Sequence, residues 1–329
     1  MAPSSGVEER LHPRLDLVIG HLRAQGFEVE EGACLRSERH GASASAAARA
    51  AELMQILLRD DIAALIPPWG GELAIELLDR LDWTALKAAR PKWLLGYSDT
   101  STLLLPITLR LGWATAHGPG LMDLAPGQAD PLTLGAMAAL ATPAGGTLVQ
   151  RQSLHWQSRW TDFADVPTTT YRLTEPTHWW ALDGSAEVHF NGRLIGGCID
   201  TLMHIAGTPF GDVQALIRAC GSEGVVLYLE NSGQSPTDLV RVLHRLRWAG
   251  WFEGLHGLLI GRSAAPDATG DTELGYADAL RSSLGALSCA VLVDADIGHR
   301  PPQMVLVNGA RADVQWRAAA GGQVTQVLA

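Results

Sequence analysis

Ser98 lies in Leu94-Leu95-Gly96-Tyr97-Ser98-Asp99-Thr100, an apolar run that reads as a buried strand passing directly into a helix. A serine on such a turn presents its hydroxyl at the carboxyl edge of a sheet, beside backbone N–H groups and the positive end of the helix. Those donors, the N–H of Asp99 among them, would stabilise a tetrahedral oxyanion. The same position also suits Ser98 or Asp99 as a plain helix cap. Gly70-Gly71 follows the apolar run 62–66 and brings a second loop to that edge, where a glycine N–H would complete an oxyanion hole or simply form a tight turn. Glu230 ends the apolar run 225–229, and a carboxylate at the tip of a buried strand needs a partner to offset its desolvation. A histidine would serve; capping the helix that begins near Pro236 is the alternative, although Ser235 and Asn231 are also available for that. His299, one of 11 histidines, stands in a Gly- and Pro-held loop, Asp294-Ala295-Asp296-Ile297-Gly298-His299-Arg300-Pro301-Pro302, just after a strand at 290–293. A serine nucleophile, a histidine base and a carboxylate that orients the histidine would together carry out acyl transfer, if these three segments meet.

The elements that must position these residues can be read from periodicity. Residues 12–25 carry Leu15, Val18, Ile19 and Leu22 at helical spacing, and Gly26 stops the helix before an extended run at 27–29. A helix at 46–59 leads into a strand at 62–66, and a helix at 73–81 leads into the strand before Ser98. Residues 100–111 are apolar nearly all round, as in a helix buried beneath a sheet. Alternating helix and strand predicts a parallel-sheet α/β domain, Rossmann- or flavodoxin-like, over residues 1–135. Residues 136–192 read as a linker and lid, rich in Thr and Pro and holding Trp156, Trp160, Trp179 and Trp180. A smaller α+β domain at 193–329 follows, with a helix at 198–206, strands at 224–229, 256–260 and 290–293, and a helix at 236–249. Asn308-Gly309 between short apolar runs predicts a hairpin over 303–313.

Composition narrows the class of partner. A chain of 329 residues, 47% hydrophobic, has ample material for packed cores in two domains. The net charge of -10 argues against nucleic acid as a partner, which a basic patch would be needed to bind. No run is apolar for long enough to span a bilayer and no signal-peptide pattern opens the chain, so a cytoplasmic protein without a membrane partner is expected. Cys34, Cys198, Cys220 and Cys289 show no paired spacing, which suggests neither a zinc site nor a disulfide framework.

The runs GYSDTSTL, GRLIGGCIDTLMHIAGTPF, LYLENSGQSPTDLVRVLHRLRWAGWFEGLHGLLIGR and DADIGHRPPQ together resemble the LD-carboxypeptidase family of serine peptidases, which includes the microcin C immunity proteins. Their order and spacing match from about Ser43 to Asp313. The resemblance implies a triad split between two domains, with Ser98 from GYSD, Glu230 from LYLEN and His299 from IGH. It implies oxyanion N–H groups from Gly70 or Gly71 and from Asp99, no metal or other cofactor, and a homodimer. Two departures stand out. The family has a whole first strand before a Pro-Ser turn like the one that opens this chain, so the sheet is expected to lack that strand or the start to lie late. The family's GGYGxxR-like segment here reads Gly70-Gly71-Glu72-Leu73-Ala74-Ile75-Glu76, with Glu76 in the arginine's place; a Glu76 facing the pocket would repel a substrate carboxylate. The tryptophan-rich segment is similar to the immunity branch, in which an aromatic stacks on a nucleobase, and it points to Trp179 or Trp180 as the platform, unless these side chains merely pack the connection. The expected substrate is a peptidyl- or aminoacyl-nucleotide conjugate. A murein tetrapeptide is the alternative, and a two-domain small-ligand binder without chemistry is the reading from another class.

Overall fold

Helix His12–Ala24, with a proline in its first turn, buries Leu15, Val18, Ile19 and Leu22 as the periodicity predicts. Ser45 opens the next helix, Ala46–Leu58, by accepting the Ala48 N–H, so that one orphan donor of the first turn is satisfied. The computed structural model describes residues 1–270 and 272–328, and in it these helices cover a four-stranded sheet. Its strands run in the order Ala64–Leu65, Trp93–Gly96, Thr115–His117 and Leu306–Asn308. The first three are parallel, whereas the last is antiparallel to Thr115–His117. The second sheet has eight strands. Glu187–Cys198, Val225–Glu230, Leu255–Gly261 and Ala290–Ala295 form its parallel centre, with antiparallel strands on both sides. Strand Val225–Glu230 is buried along its whole length, as expected for a central strand covered on both faces.

Three local expectations change. Residues 27–29 form no strand: Phe27 donates its N–H back to Leu22, and a cavity of about 460 Å³, lined by Met1, Phe27, Val29, Leu65 and Ile66, separates this segment from the edge of the sheet. Extended backbone without a neighbour has no ladder to join. The expected helix at 73–81 is reduced to the 3-10 turn Ala74–Leu77. Residues 303–313 are not a hairpin. At Gly309, with φ +90°, the chain leaves the four-stranded sheet, and Arg311–Arg317 then pairs with Glu187–Arg193 and with Gly321–Val327 in the other sheet. Leu306–Asn308 therefore completes the N-terminal sheet from the far end of the sequence. Thr147–Arg151 and Trp180–Ala181, from the segment read as linker and lid, serve as outer strands of the eight-stranded sheet.

Candidate active site

The carboxyl ends of strands from both sheets meet at one place, where chemistry-bearing residues converge. Strand Trp93–Gly96 runs into the 3-10 turn Ser98–Thr100 and the helix Ser101–Leu111. Ser98 itself has φ +58°. A side chain in the left-handed region costs roughly 1–2 kcal/mol, a strain associated with a nucleophile turn rather than with an ordinary cap. Gly70 lies against it: a methyl group added there would stand 2.7 Å from the Asp99 backbone N and 2.9 Å from Ser98 Oγ. Gly71, with φ +137°, faces the hydroxyls of Ser4 and Ser5 instead. The side chain of Asp99 is turned away from the site, its carboxylate accepting the Ser4 hydroxyl, the Ala74 N–H at 2.7 Å and the Thr102 hydroxyl. Asp99 thus ties the serine turn to the glycine loop, leaving only its backbone for the oxyanion role.

His299 is carried by the loop after strand Ala290–Ala295. Asp296, fully buried, anchors that loop through Arg262 Nη1, the Ser153 N–H and the Trp179 indole N–H. Arg262 also donates to the carbonyls of Arg300 and Pro302. His299 Nδ1 is 2.8 Å from Glu230 Oε2, which leaves Nε2 as the basic nitrogen of the neutral ring. Gly298 (φ +91°) lies flat against the same carboxylate. Burial and the imidazole compete in setting the proton affinity of Glu230: burial raises it, His299 and His117 lower it, and the net direction is downward. For His299, burial lowers the affinity and the Glu230 carboxylate raises it, with a net shift above the ordinary histidine range.

The structure joins Glu230 to His299 directly. The serine turn approaches them through Tyr97, whose ring lies 5.0 Å from that of His299, edge to face. Among the described residues no hydrogen bond joins Ser98 to His299; such contacts are often long before substrate binds. Cys198, Glu230 and His299 have ligand atoms within 4.8 Å of one another and include the donor types that hold a metal ion, but the Glu230–His299 bond already uses two of them. All four cysteines are free, Cys34 and Cys198 buried and Cys220 and Cys289 half-buried.

Two models of known families match the chain, described as the LD-carboxypeptidase N-terminal domain over residues 1–118 and the LD-carboxypeptidase C-terminal domain over residues 191–314. The chain belongs to the LD-carboxypeptidase family. Family members are serine hydrolases, and the turn at Ser98 sits within the first matched region. The microcin C7 self-immunity protein MccF of Escherichia coli is 25% identical to this LD-carboxypeptidase homologue, over 90% of the chain and 83% of the relative. A structure of MccF in complex with glutamyl sulfamoyl guanosine superposes with a TM-score of 0.82 at 22% identity, covering 100% of this chain and 96% of that one. The muramoyltetrapeptide carboxypeptidase of Oxalobacter formigenes superposes with a TM-score of 0.73 at 21% identity, covering 99% and 98%.

Other expected site residues fall elsewhere. Trp179 is 3% exposed, bonded to Asp296 and packed on Gly322, and so has no open face. Trp180 is half-buried, donates to Asp294 and lies under Arg281 at an outer strand. Both pack the connection in this conformation. Of the four tryptophans in this segment, Trp160 is the exposed one, at 47%, and it meets Tyr171 edge-on. The Tyr171 phenol is pushed well above its ordinary range by burial and by Asp123. Asp123, itself raised by burial, is near enough to influence His299 and Tyr97. Neither Tyr171 nor Asp123 carried a signal in the sequence, since no strand end or motif marks them. Glu76 pairs with the buried Arg49, which also holds the carbonyls of Pro3 and Leu73. Its charge braces the turn behind the glycine loop, and the expected repulsion of a substrate carboxylate has no basis in this geometry.

Proposed function

We propose that this protein is a serine amidase with a Ser98–His299–Glu230 triad, acting on peptidyl- or aminoacyl-nucleotide conjugates. Ser98 Oγ attacks the acyl carbon as its proton passes to His299 Nε2, and the developing oxyanion is met by the N–H groups of Gly70 and Asp99. Glu230 holds the ring and stabilises the imidazolium. His299 then gives the proton to the leaving nitrogen, and water releases the acyl group from Ser98 by the same steps in reverse. The reading includes a homodimer, as the family resemblance implies, and the cytoplasmic location expected from the sequence; no described helix is long and apolar enough to cross a membrane.

One observation carries the choice of substrate. The arginines packed on the His299 loop are already engaged: Arg262 holds Asp296 and two carbonyls, while Arg300 donates to the carbonyls of Ser158 and Ala264. A carboxypeptidase needs a cation for the free terminal carboxylate of its substrate, whereas a conjugate needs a flat surface for its base, and Trp160 offers one. MccF has been seen with aspartyl sulfamoyl adenosine and glutamyl sulfamoyl guanosine. The likeness to a muramoyltetrapeptide carboxypeptidase supports the second reading, a murein tetrapeptide substrate. A side-by-side assay separates them. Faster cleavage of an aminoacyl sulfamoyl adenosine, lost in Ser98→Ala, is expected. Release of D-alanine from the tetrapeptide without cleavage of the nucleoside would overturn the substrate choice and leave the serine mechanism standing.

A further inference from the structure

His117 ends the strand Thr115–His117 in the N-terminal sheet and is completely buried. Neither of its ring nitrogens has a hydrogen-bond partner among the described residues, and neither does Oε1 of Glu230. These two unpaired groups face each other, with Nε2 3.8 Å from Oε1. The ring is held edge-on between Tyr97 and Tyr228, with centroids 6.4 and 5.4 Å away, so its plane is set by packing. Thr115, on the same face of the strand two residues earlier, bonds Asn308, which in turn accepts the Tyr228 hydroxyl. That network fixes the strand against the eight-stranded sheet. A buried donor and a buried acceptor left unpaired are costly, and here less than an ångström of approach between the sheets would pair them.

We propose that His117 is a positioning residue for the reaction: its Nε2–H donates to Glu230 Oε1, locking the carboxylate whose other oxygen orients His299. The inference rests on the triad reading above. The bond crosses from one sheet to the other, so the orientation of the catalytic histidine depends on how the two sheets close on each other. It also draws charge from Glu230. Without it, the carboxylate turns more freely and attracts the His299 proton more strongly. Other ionisable groups around Glu230 and His299 are Cys198, Asp200, Tyr97, Asp123, Tyr228 and Tyr276, and all remain in place in the test.

The test compares kcat and the acid limb of the pH profile in His117→Phe, which keeps an aromatic ring between the two tyrosines, and His117→Gln, which restores an N–H at similar depth. In His117→Phe, kcat should fall roughly 10- to 100-fold, as when the partner that orients a metal-binding histidine is removed, and the acid limb should move to higher pH. In His117→Gln both should return toward wild type. A purely structural role would lower the melting temperature and leave the limb in place. The wild-type protein supplies a second measurement: the ¹⁵N shifts of the His117 ring should show Nε2 protonated. Wild-type kcat and pH limb in a folded His117→Phe, or an Nε2 lone pair by NMR, overturns the proposal. Should Ser98→Ala retain turnover in the same assay, the triad reading itself falls, which is a distinguishable result.

Discussion

Gly298→Ala removes no functional atom, yet it should disable the enzyme. An added Cβ would stand 2.4 Å from Glu230 Oε2 and 2.6 Å from its Cδ, about 1 Å inside ordinary van der Waals contact. Retreat is blocked on another side, because a Cβ on Gly261 would already lie 2.9 Å from Glu230 Cβ. The carboxylate must therefore swing away from His299 Nδ1, breaking the 2.8 Å bond, or the loop carrying His299 must move. Loss of that bond removes tautomer control and imidazolium stabilisation, and kcat should drop about 10²- to 10⁴-fold, the range for disabling a general base. The backbone at φ +91° adds a stability cost of roughly 1–2 kcal/mol. That moves the melting temperature by several degrees at most in a chain of this size, so the variant stays folded at 25 °C. Circular dichroism to establish folding, followed by kcat per mole of folded protein on an aminoacyl sulfamoyl adenosine, measures the effect. A folded Gly298→Ala with kcat within threefold of wild type would refute both the steric argument and the role assigned to Glu230.

Gly70→Ala should be nearly as damaging, since its methyl group would meet the Asp99 N and Ser98 Oγ at 2.7 and 2.9 Å; the expected result is loss of kcat with retained melting temperature, and unchanged turnover would remove Gly70 from the oxyanion hole. Because His299 must be neutral to accept a proton and its affinity is shifted upward, the acid limb of kcat/KM should lie above the ordinary histidine range, and a limb at or below that range would count against His299 as the base. The sign for stability follows: the His299 contribution is fully present below the unfolded histidine value and fades as pH rises through the folded one, whereas that of Glu230, shifted downward, is present above the ordinary glutamate range and is lost as pH falls toward the folded value. Trp160→Ala should raise KM for a nucleoside conjugate and leave stability unchanged, while Trp179→Ala should cost about 3–5 kcal/mol of stability, as deletion of a large buried side chain does; denaturant melts beside steady-state kinetics distinguish the two, and the reverse pattern would restore Trp179 as the platform.

Much of this arrangement was legible in the sequence because the relevant signals are local. A strand running into a helix at Ser98, a buried strand ending at Glu230 and a Gly- and Pro-held loop at His299 each follow from short patterns. The direct Glu230–His299 bond agrees with them. What escaped depends on contacts between distant segments. Nothing near Asn308-Gly309 announces that its two flanking strands join different sheets, since Leu306–Asn308 pairs with Thr115–His117, far away in sequence, while Arg311–Arg317 lies between Glu187–Arg193 and the following strand Gly321–Val327. Trp179 and Trp160 look alike in a tryptophan-rich stretch, and only the buried Asp296 decides that one is core and the other surface. Glu76 was read by its position in a motif, whereas its charge is answered by Arg49, which no local pattern pairs with it.

The return of Leu306–Asn308 to the N-terminal sheet has a temporal consequence. Ser98 and His117 emerge from the ribosome in the first part of the chain, Glu230 after two-thirds of it, and His299 near the end, directly before the strand that pairs with Thr115–His117. Until that last strand arrives, Thr115–His117 has no neighbour on that side of its sheet, and before residue 299 is made the proposed base is missing. On the proposed triad, hydrolysis during synthesis is therefore expected only after the segment beyond His299 has been made and Leu306–Asn308 has paired with Thr115–His117.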